Sequence, residues 1–181
     1  MNLIDENNCL VLVIDVQERL VASVFDGNIA ERVAKLVKGA EILGVPTVVS
    51  EQYPKGLGNT VKAVSENFGE NTFVTEKTSF SFLREGGILD KIKSYGKKQV
   101  IICGIETHIC VYQTAVELIN AGFEVTVMTD GCSSRREFEH NTGLRLMEKA
   151  GARLASLEVI LFELLRGAKH PKFKDVQALI K

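Results

Sequence analysis

Three side chains that can do chemistry together follow short apolar runs of this chain. Asp15 comes directly after CLVLVI, Lys77 follows the run 72–75, and Cys110 lies shortly after QVIIC. A thiol is activated when a cation or a helix N-terminus lowers its pKa, and a carboxylate can move protons to a leaving group and from a water. These residue types therefore predict a nucleophilic hydrolase site, provided that folding brings the three together.

Apolar runs alternate with amphipathic stretches, and this alternation predicts the elements that position the three side chains. Strands are expected at 9–14, 46–49, 72–75, 99–103, 124–129 and 153–155. Helices are expected at 28–43, 88–95, 107–121, 136–150, 157–165 and 174–181, and an irregular loop at 51–60. The pattern predicts an α/β fold, a three-layer α/β/α sandwich with a mostly parallel central sheet.

Open parallel sheets bind ligands at the carboxyl ends of their strands, and all three side chains fall there. Thr107 is a plausible N-cap, which would place Cys110 in a first helical turn where the backbone dipoles favour a thiolate. Each residue also has an ordinary structural explanation. Asp15 can be a buried aspartate bonded to loop amides, and Cys110 a small packed hydrophobe. Lys77 can simply form an exposed ion pair with Glu76.

Composition sets limits on the class of protein. The 181 residues are 45% hydrophobic and 25% charged, which is typical of a globular protein and fits one domain over 1–181. A net charge of −1 gives no electrostatic reason to expect nucleic acid or an anionic membrane as a partner. No apolar stretch approaches the ~20 residues of a membrane span, and the start MNLIDENN is unlike a signal peptide. We therefore expect a cytoplasmic protein that acts on a small-molecule substrate.

The cysteines and histidines lack the spacing of metal ligands. The chain contains no C-x-x-C pair and its histidines are scattered, so no metal site is expected. Neither G-x-G-x-x-G nor a phosphate-binding loop motif occurs, so no nucleotide cofactor is expected. Cys9 and Cys103 are expected to be buried thiols, whereas Cys132 is a second candidate for chemistry.

Three residues near the predicted strand ends are candidates for substrate contact. Gln17, two residues after Asp15, either orients that carboxylate or faces solvent. Phe80 and Phe82, in the segment KTSFSF, either wall an apolar pocket or pack into the core.

Four segments resemble the isochorismatase-like cysteine hydrolases: LVLVIDVQERL, TEKTSFS, CGIETHICVYQTA and VMTDGCSSR. The most specific of these is the G-x-x-T-x-x-C motif at 104–110. Three further pieces, SEQYPKGLGNTV, the serine pair of DGCSSR and HPKFKDVQALIK, resemble the isochorismatase domain-containing protein branch.

This resemblance implies a mechanism and an assembly. It implies that Asp15, Lys77 and Cys110 form the catalytic triad, that no cofactor is needed, and that the chain forms a dimer or larger homo-oligomer. It also implies a cis peptide bond between Ile105 and Glu106, which would aim the Glu106 N–H and the Cys110 N–H at one point as an oxyanion hole.

Differences between this sequence and the family's motifs narrow the range of expected substrates. Isochorismatases lack the nucleophilic cysteine, so Cys110 disfavours isochorismate. Nicotinamidases carry an Asp-x-His and further histidines after the second strand, whereas this chain reads SEQYPKGLG, which disfavours a metal-dependent nicotinamidase. Glu51, Gln52 and Tyr53 occupy that place and are expected to bind the polar end of a substrate.

The sequence therefore predicts a cofactor-free cysteine hydrolase that cleaves a C–N bond of a small amide, carbamoyl or related compound through a thioester. A catalytically weak or inactive binding or scaffold member of the same family is the alternative. Redox sensing through Cys110 and Cys132 is a third hypothesis.

Overall fold

A six-stranded sheet forms the centre of the structure, a computed structural model that describes residues 2–181. Its strands are β1 (Cys9–Ile14), β2 (Thr47–Gln52), β3 (Thr72–Lys77), β4 (Gln99–Ile105), β5 (Glu124–Ser133) and β6 (Arg153–Ala155). The strand order is β3-β2-β1-β4-β5-β6, and every neighbouring pair is parallel. β1 and β4 lie at the centre and are buried along their whole length.

Helices cover both faces of the sheet and complete three layers. They are α1 (Glu18–Val21), α2 (Ile29–Leu43), α3 (Pro54–Leu57), α4 (Lys62–Ser65), α5 (Ile88–Ser94), α6 (Tyr112–Asn120), α7 (Glu137–Lys149), α8 (Leu157–Leu165) and α9 (Phe173–Gln177). α2 packs against α4, α8 and α9, and α6 packs against α7. The predicted α/β/α architecture is confirmed. Right-handed crossovers run first from β1 toward β3 and then, in the opposite direction, from β4 toward β6. The group around α2 and the pair α6 and α7 therefore lie on opposite faces of the sheet.

Several local expectations were wrong, including the last helix, which spans Phe173–Gln177 and not 174–181. The segment 51–60 is not wholly irregular, since β2 continues through Glu51 and Gln52 and α3 follows. Pairing with β3 extends β2, because Gln52 lies opposite Lys77 in the register. β5 runs on to Ser133 after a register shift against β4, and the stretch 107–121 is divided into a π-helical turn (Thr107–Val111) and α6.

No helix within the described residues combines the length and apolar character needed to traverse a lipid bilayer.

Candidate active site

The three chemical side chains meet beside the point where the winding of the sheet reverses. β1 and β4 are neighbours whose crossovers run in opposite directions, which leaves a crevice at their carboxyl ends. Asp15 directly follows β1, and β4 leads into the π-helical turn that carries Cys110. Lys77 is the last residue of β3. The peptide bond between Ile105 and Glu106, at the junction of β4 and that turn, is cis.

Lys77 and Asp15 form an ion pair that is shielded from solvent. Lys77 Nζ lies 2.6 Å from Asp15 Oδ2, and both side chains are 0% exposed. Nζ also donates hydrogen bonds to Gln52 Oε1 at 2.5 Å and to the carbonyl oxygens of Ser79 at 3.1 Å and Phe80 at 3.3 Å. These three acceptors match the three N–H donors of an ammonium group. Lys77 is therefore a fixed, buried cation.

The Asp15 carboxylate keeps one oxygen available for a proton. Ser50 Oγ donates to Oδ1 at 2.6 Å, whereas Oδ2 has the ion contact with Lys77 but no well-directed hydrogen-bond donor in the described part of the chain. Burial raises the pKa of Asp15, and the positive charge of Lys77 and the Ser50 hydroxyl oppose that rise. A carboxylate with a raised pKa is a better proton acceptor near neutral pH. Its φ of +53° is unusual for a non-glycine residue and is typical of functional sites.

The Cys110 thiol lies close enough to Asp15 and Lys77 for both charges to act on its pKa, and it shares the wall of one cavity with Asp15. Burial raises the pKa of this thiol to about 12, the Asp15 carboxylate adds to the rise, and Lys77 opposes it. The resting group is therefore a thiol, opposite to the lowered pKa that we expected. Thr107 does not act as the expected cap, because its hydroxyl is paired with His140 Nδ1 at 2.9 Å.

A small cavity of about 130 Å³ opens onto these groups. Its polar lining consists of Asp15, Gln52, Glu106 and Cys110. Its apolar lining consists of Leu20, Leu57, Phe80, Ile105 and Ile109. Larger hollows of about 350 and 460 Å³ occur elsewhere, but they touch neither the carboxylate, the ammonium nor the thiol. The chemistry of the lining, rather than size, identifies the smaller cavity as the candidate active site.

Four of the predicted contacts with substrate or oxyanion lie in this cavity: Gln52, Phe80, Ile105 and Glu106. Gln17 does not, although it is fully buried. Its Nε2 donates to the carbonyls of Gln52 at 3.0 Å and Gly58 at 2.6 Å, and its Oε1 accepts the Gln52 N–H at 2.7 Å. Gln17 does not face solvent and does not line the cavity; it joins the end of β2 to the segment that follows α3.

Glu51, Tyr53 and Phe82 also lie outside the cavity lining. Glu51 Oε1 accepts hydrogen bonds from the Thr60 N–H at 2.6 Å and hydroxyl at 2.7 Å. Tyr53 is 57% exposed with its ring against Gly56, and Phe82 is 0% exposed in the core. These placements put the three side chains outside the cavity in which substrate contact was expected.

Sequence reasoning missed four residues of the site. Leu20, Leu57 and Ile109 line the cavity, and Ser50 bonds the Asp15 carboxylate. Ser50 left a signal, because it is the polar residue that ends the buried run TVVS next to Ile14 in the parallel register. For the three apolar residues, nothing in the sequence distinguishes a residue of a pocket wall from a residue of the core.

The other candidate for chemistry, Cys132, does not line the cavity. Cys132 is 2% exposed within β5, and burial raises its pKa to about 12. Among the described residues, no group of three or more histidine, cysteine, aspartate or glutamate side chains is placed to hold a metal ion.

Comparison with known proteins identifies the family. The model of the Isochorismatase domain matches residues 9–159. The chain belongs to the isochorismatase family. It is 39% identical to isochorismatase domain-containing protein 1 of Salmo salar over 92% of this chain and 59% of that protein, so it spans about three fifths of that relative's length. It is 37% identical to isochorismatase domain-containing protein 2 of Danio rerio, over 94% of this chain and 86% of that protein.

Solved structures of the isochorismatase family fold share this architecture. A structure described as the MAR1 ribonuclease of Caenorhabditis elegans superposes with a TM-score of 0.93 at 39% identity, over 99% of this chain and 92% of that one. The YcaC gene product of Escherichia coli, described as an octameric hydrolase of unknown specificity, superposes with a TM-score of 0.86 at 25% identity, over 98% of this chain and 94% of that one. The chain therefore has an isochorismatase-family hydrolase fold.

Proposed function

We propose that the chain is a cofactor-free cysteine hydrolase that cleaves the C–N bond of a small amide, carbamoyl or related compound through a thioester on Cys110. The observation that carries the proposal is the buried Asp15–Lys77 ion pair, with its atoms 2.6 Å apart, beside a thiol at the wall of a small cavity. Family membership supports hydrolysis as the class of reaction.

Activation of Cys110 begins with a proton transfer to Asp15. The resting site holds a thiol, a carboxylate and an ammonium, and its net charge is zero. Transfer of the thiol proton to Asp15 Oδ2 moves the negative charge onto sulfur while the Lys77 ammonium stays in place. The buried site remains neutral, which limits the cost of forming a thiolate whose pKa is otherwise raised to about 12.

The acylation half of the reaction forms a C–S bond and breaks the C–N bond. The Cys110 thiolate attacks the carbonyl carbon, and the carbonyl oxygen becomes an oxyanion. The backbone N–H groups of Glu106 and Cys110, both residues of the cavity wall, are proposed to bind that oxyanion. Asp15 then gives its proton to the nitrogen, and ammonia or an amine leaves with the electron pair of the C–N bond.

Water completes the cycle. The Asp15 carboxylate takes a proton from the water as it attacks the thioester carbonyl. Collapse of the second tetrahedral intermediate expels the Cys110 thiolate, which regains its proton from Asp15. The sum is one amide and one water converted into one acid and one amine, with the protein unchanged.

Self-association is also proposed, because the related YcaC structure is described as octameric. Size-exclusion chromatography with light scattering tests it, and a monomer at all concentrations would contradict it. The ribonuclease name of the Caenorhabditis elegans structure is not carried over to this chain. A net charge of −1 and a small, largely apolar cavity offer no electrostatic attraction for an RNA backbone.

Ammonia release from a panel of small amides, ureides and carbamoyl compounds tests the proposal. We expect Cys110→Ser to reduce kcat by at least about 1,000-fold for any substrate found, because the nucleophile is lost. Cys132→Ala is the matched control, since it removes another buried sulfur that lies outside the cavity, and it should retain turnover. Undiminished turnover by Cys110→Ser would refute the mechanism. A wild-type protein that turns over no compound of the panel would favour the binding or scaffold alternative.

A further inference from the structure

We infer that the cavity accepts small uncharged amides with an apolar acyl group and excludes amides that carry a carboxylate beside the scissile bond. This inference rests on the hydrolase proposed above and names its substrate class. The support comes from the chemistry of the cavity wall, from the partners of the nearby charged groups and from the cavity volume.

Within the residues that the structure describes, the wall offers a substrate anion few hydrogen-bond donors from side chains and no cation. Five apolar side chains form most of it: Leu20, Leu57, Phe80, Ile105 and Ile109. The Gln52 amide is partly engaged, because its Oε1 accepts from Lys77 at 2.5 Å and one N–H of its Nε2 donates to the Thr78 carbonyl at 2.8 Å, which leaves the second N–H as a neutral donor. The Glu106 carboxylate is engaged as well, since it accepts the Arg135 N–H at 3.0 Å.

The cationic side chains near the site, Lys77 and Arg135, do not line the cavity. Among the described residues, the lining of the cavity includes no lysine, arginine or histidine. The Lys77 ammonium lies behind the wall, and its three N–H groups already have three acceptors. Arg135 contacts Glu106, but it lines a separate hollow of about 210 Å³ that shares no lining residue with the catalytic cavity. A substrate carboxylate would therefore be desolvated without a cationic partner and would face the negative charge of Asp15.

The cavity is small, at about 130 Å³, and favours a compact acyl group. Leu20 comes from α1 and Leu57 ends α3, so the two short helices that follow β1 and β2 supply the outer wall. These two leucines are specificity-determining residues for a compact acyl group.

Two amides of matched shape test the inference by turnover. Isobutyramide carries an isopropyl group where oxamate carries a carboxylate of similar shape. We expect wild-type kcat/KM for isobutyramide to exceed that for oxamate by at least about tenfold, from ammonia release with Cys110→Ser as the blank. Equal or faster turnover of oxamate would overturn the inference.

Alkylation of Cys110 supplies a readout that does not depend on turnover. Iodoacetamide is neutral and iodoacetate is anionic. The rate at which each reagent alkylates Cys110 is measured by peptide mass spectrometry and divided by its rate with N-acetylcysteine. The normalised ratio is the resulting value for iodoacetamide divided by that for iodoacetate, and we expect it to be at least about ten. Leu57→Arg places a cation in the wall and should lower the ratio several-fold. Val159→Arg adds the same charge at an exposed position of α8 and should leave the ratio unchanged.

The results separate the two proposals. A normalised ratio near one in the wild type, or a ratio that Leu57→Arg and Val159→Arg alter equally, overturns the inference about the cavity. If the alkylation ratio is as expected but the protein releases ammonia from no amide, the proposed hydrolase function is contradicted. The preference of the cavity for neutral ligands is then still supported.

Discussion

Removal of the Lys77 ammonium should destabilise the fold and make its stability strongly dependent on pH. The variant Lys77→Met keeps an apolar chain of similar length and leaves Asp15 as a buried carboxylate without its cation. At the observed 2.6 Å, the attraction between unit charges is about 6 kcal/mol for an effective dielectric constant of about 20. Desolvation of both ions offsets part of this attraction, and truncation of one partner of a buried pair costs about 3–5 kcal/mol. We expect Lys77→Met to lose an amount in this range at pH 7.

The dependence on pH follows from the raised pKa of Asp15. Burial raises this pKa and Lys77 opposes the rise, so the variant should raise it further. A carboxyl group whose folded-state pKa is raised stabilises the fold fully below its unfolded pKa of about 4, and that contribution is lost as pH rises through the folded-state value. The destabilisation of Lys77→Met should therefore shrink as pH falls toward 4 and grow as pH rises from there.

Urea denaturation from pH 4 to pH 8 measures both effects. Lys35→Met is the matched control, since Lys35 pairs with Glu31 at 3.0 Å on the exposed surface of α2 and should cost no more than about 0.5 kcal/mol. A double-mutant cycle with Asp15→Asn should return a favourable coupling of about 2 kcal/mol or more. A loss below about 1 kcal/mol that does not vary with pH would refute the account of the buried ion pair.

Three further substitutions test the surroundings of the site. Ser50→Ala removes the 2.6 Å hydrogen bond to Asp15 Oδ1 and should therefore raise the pKa of Asp15. The acidic limb of the pH–rate profile should then move to higher pH, and kcat/KM should fall about tenfold. An acidic limb that does not move would contradict this role of Ser50. Phe82→Ala should cost about 3–5 kcal/mol in urea denaturation without changing the preference between substrates, because the ring lies in the core; a changed preference would instead place it at the substrate. Gly104→Ala should cost more than about 2 kcal/mol, because a Cβ at its φ of +129° would collide with the Ile14 carbonyl; unaltered thermal stability would refute that contact.

Burial decided the bounds of β1, whereas β4, which is equally buried, was predicted to end at 103 and ends at Ile105. β1 (Cys9–Ile14) was predicted to the residue from one continuous apolar run, which is what a strand covered on both faces requires. The prediction that polar groups gather at one sheet edge followed from parallel topology, and Asp15 and Cys110 do line one cavity.

Details that depend on tertiary contacts could not be predicted from the sequence. The placement of the Phe82 backbone and the direction of the Gln17 side chain depend on neighbours distant in the chain, and residue spacing carries no information about those neighbours. The pKa of Cys110 was expected to fall because a cation was anticipated nearby. In the structure the cation is present, but burial outweighs it, and the extent of burial follows only from packing.

A rapid acid quench followed by peptide mass mapping tests the central claim most directly. With an amide that releases ammonia, the account predicts an acyl group on the peptide that contains Cys110. Its amount should rise before steady state and be absent from Cys110→Ser. Asp15→Asn should form little of it, because the thiol, whose pKa is raised to about 12, then lacks its proton acceptor. Ammonia release without any acyl-Cys110, or with the acyl group on another residue, would contradict the mechanism.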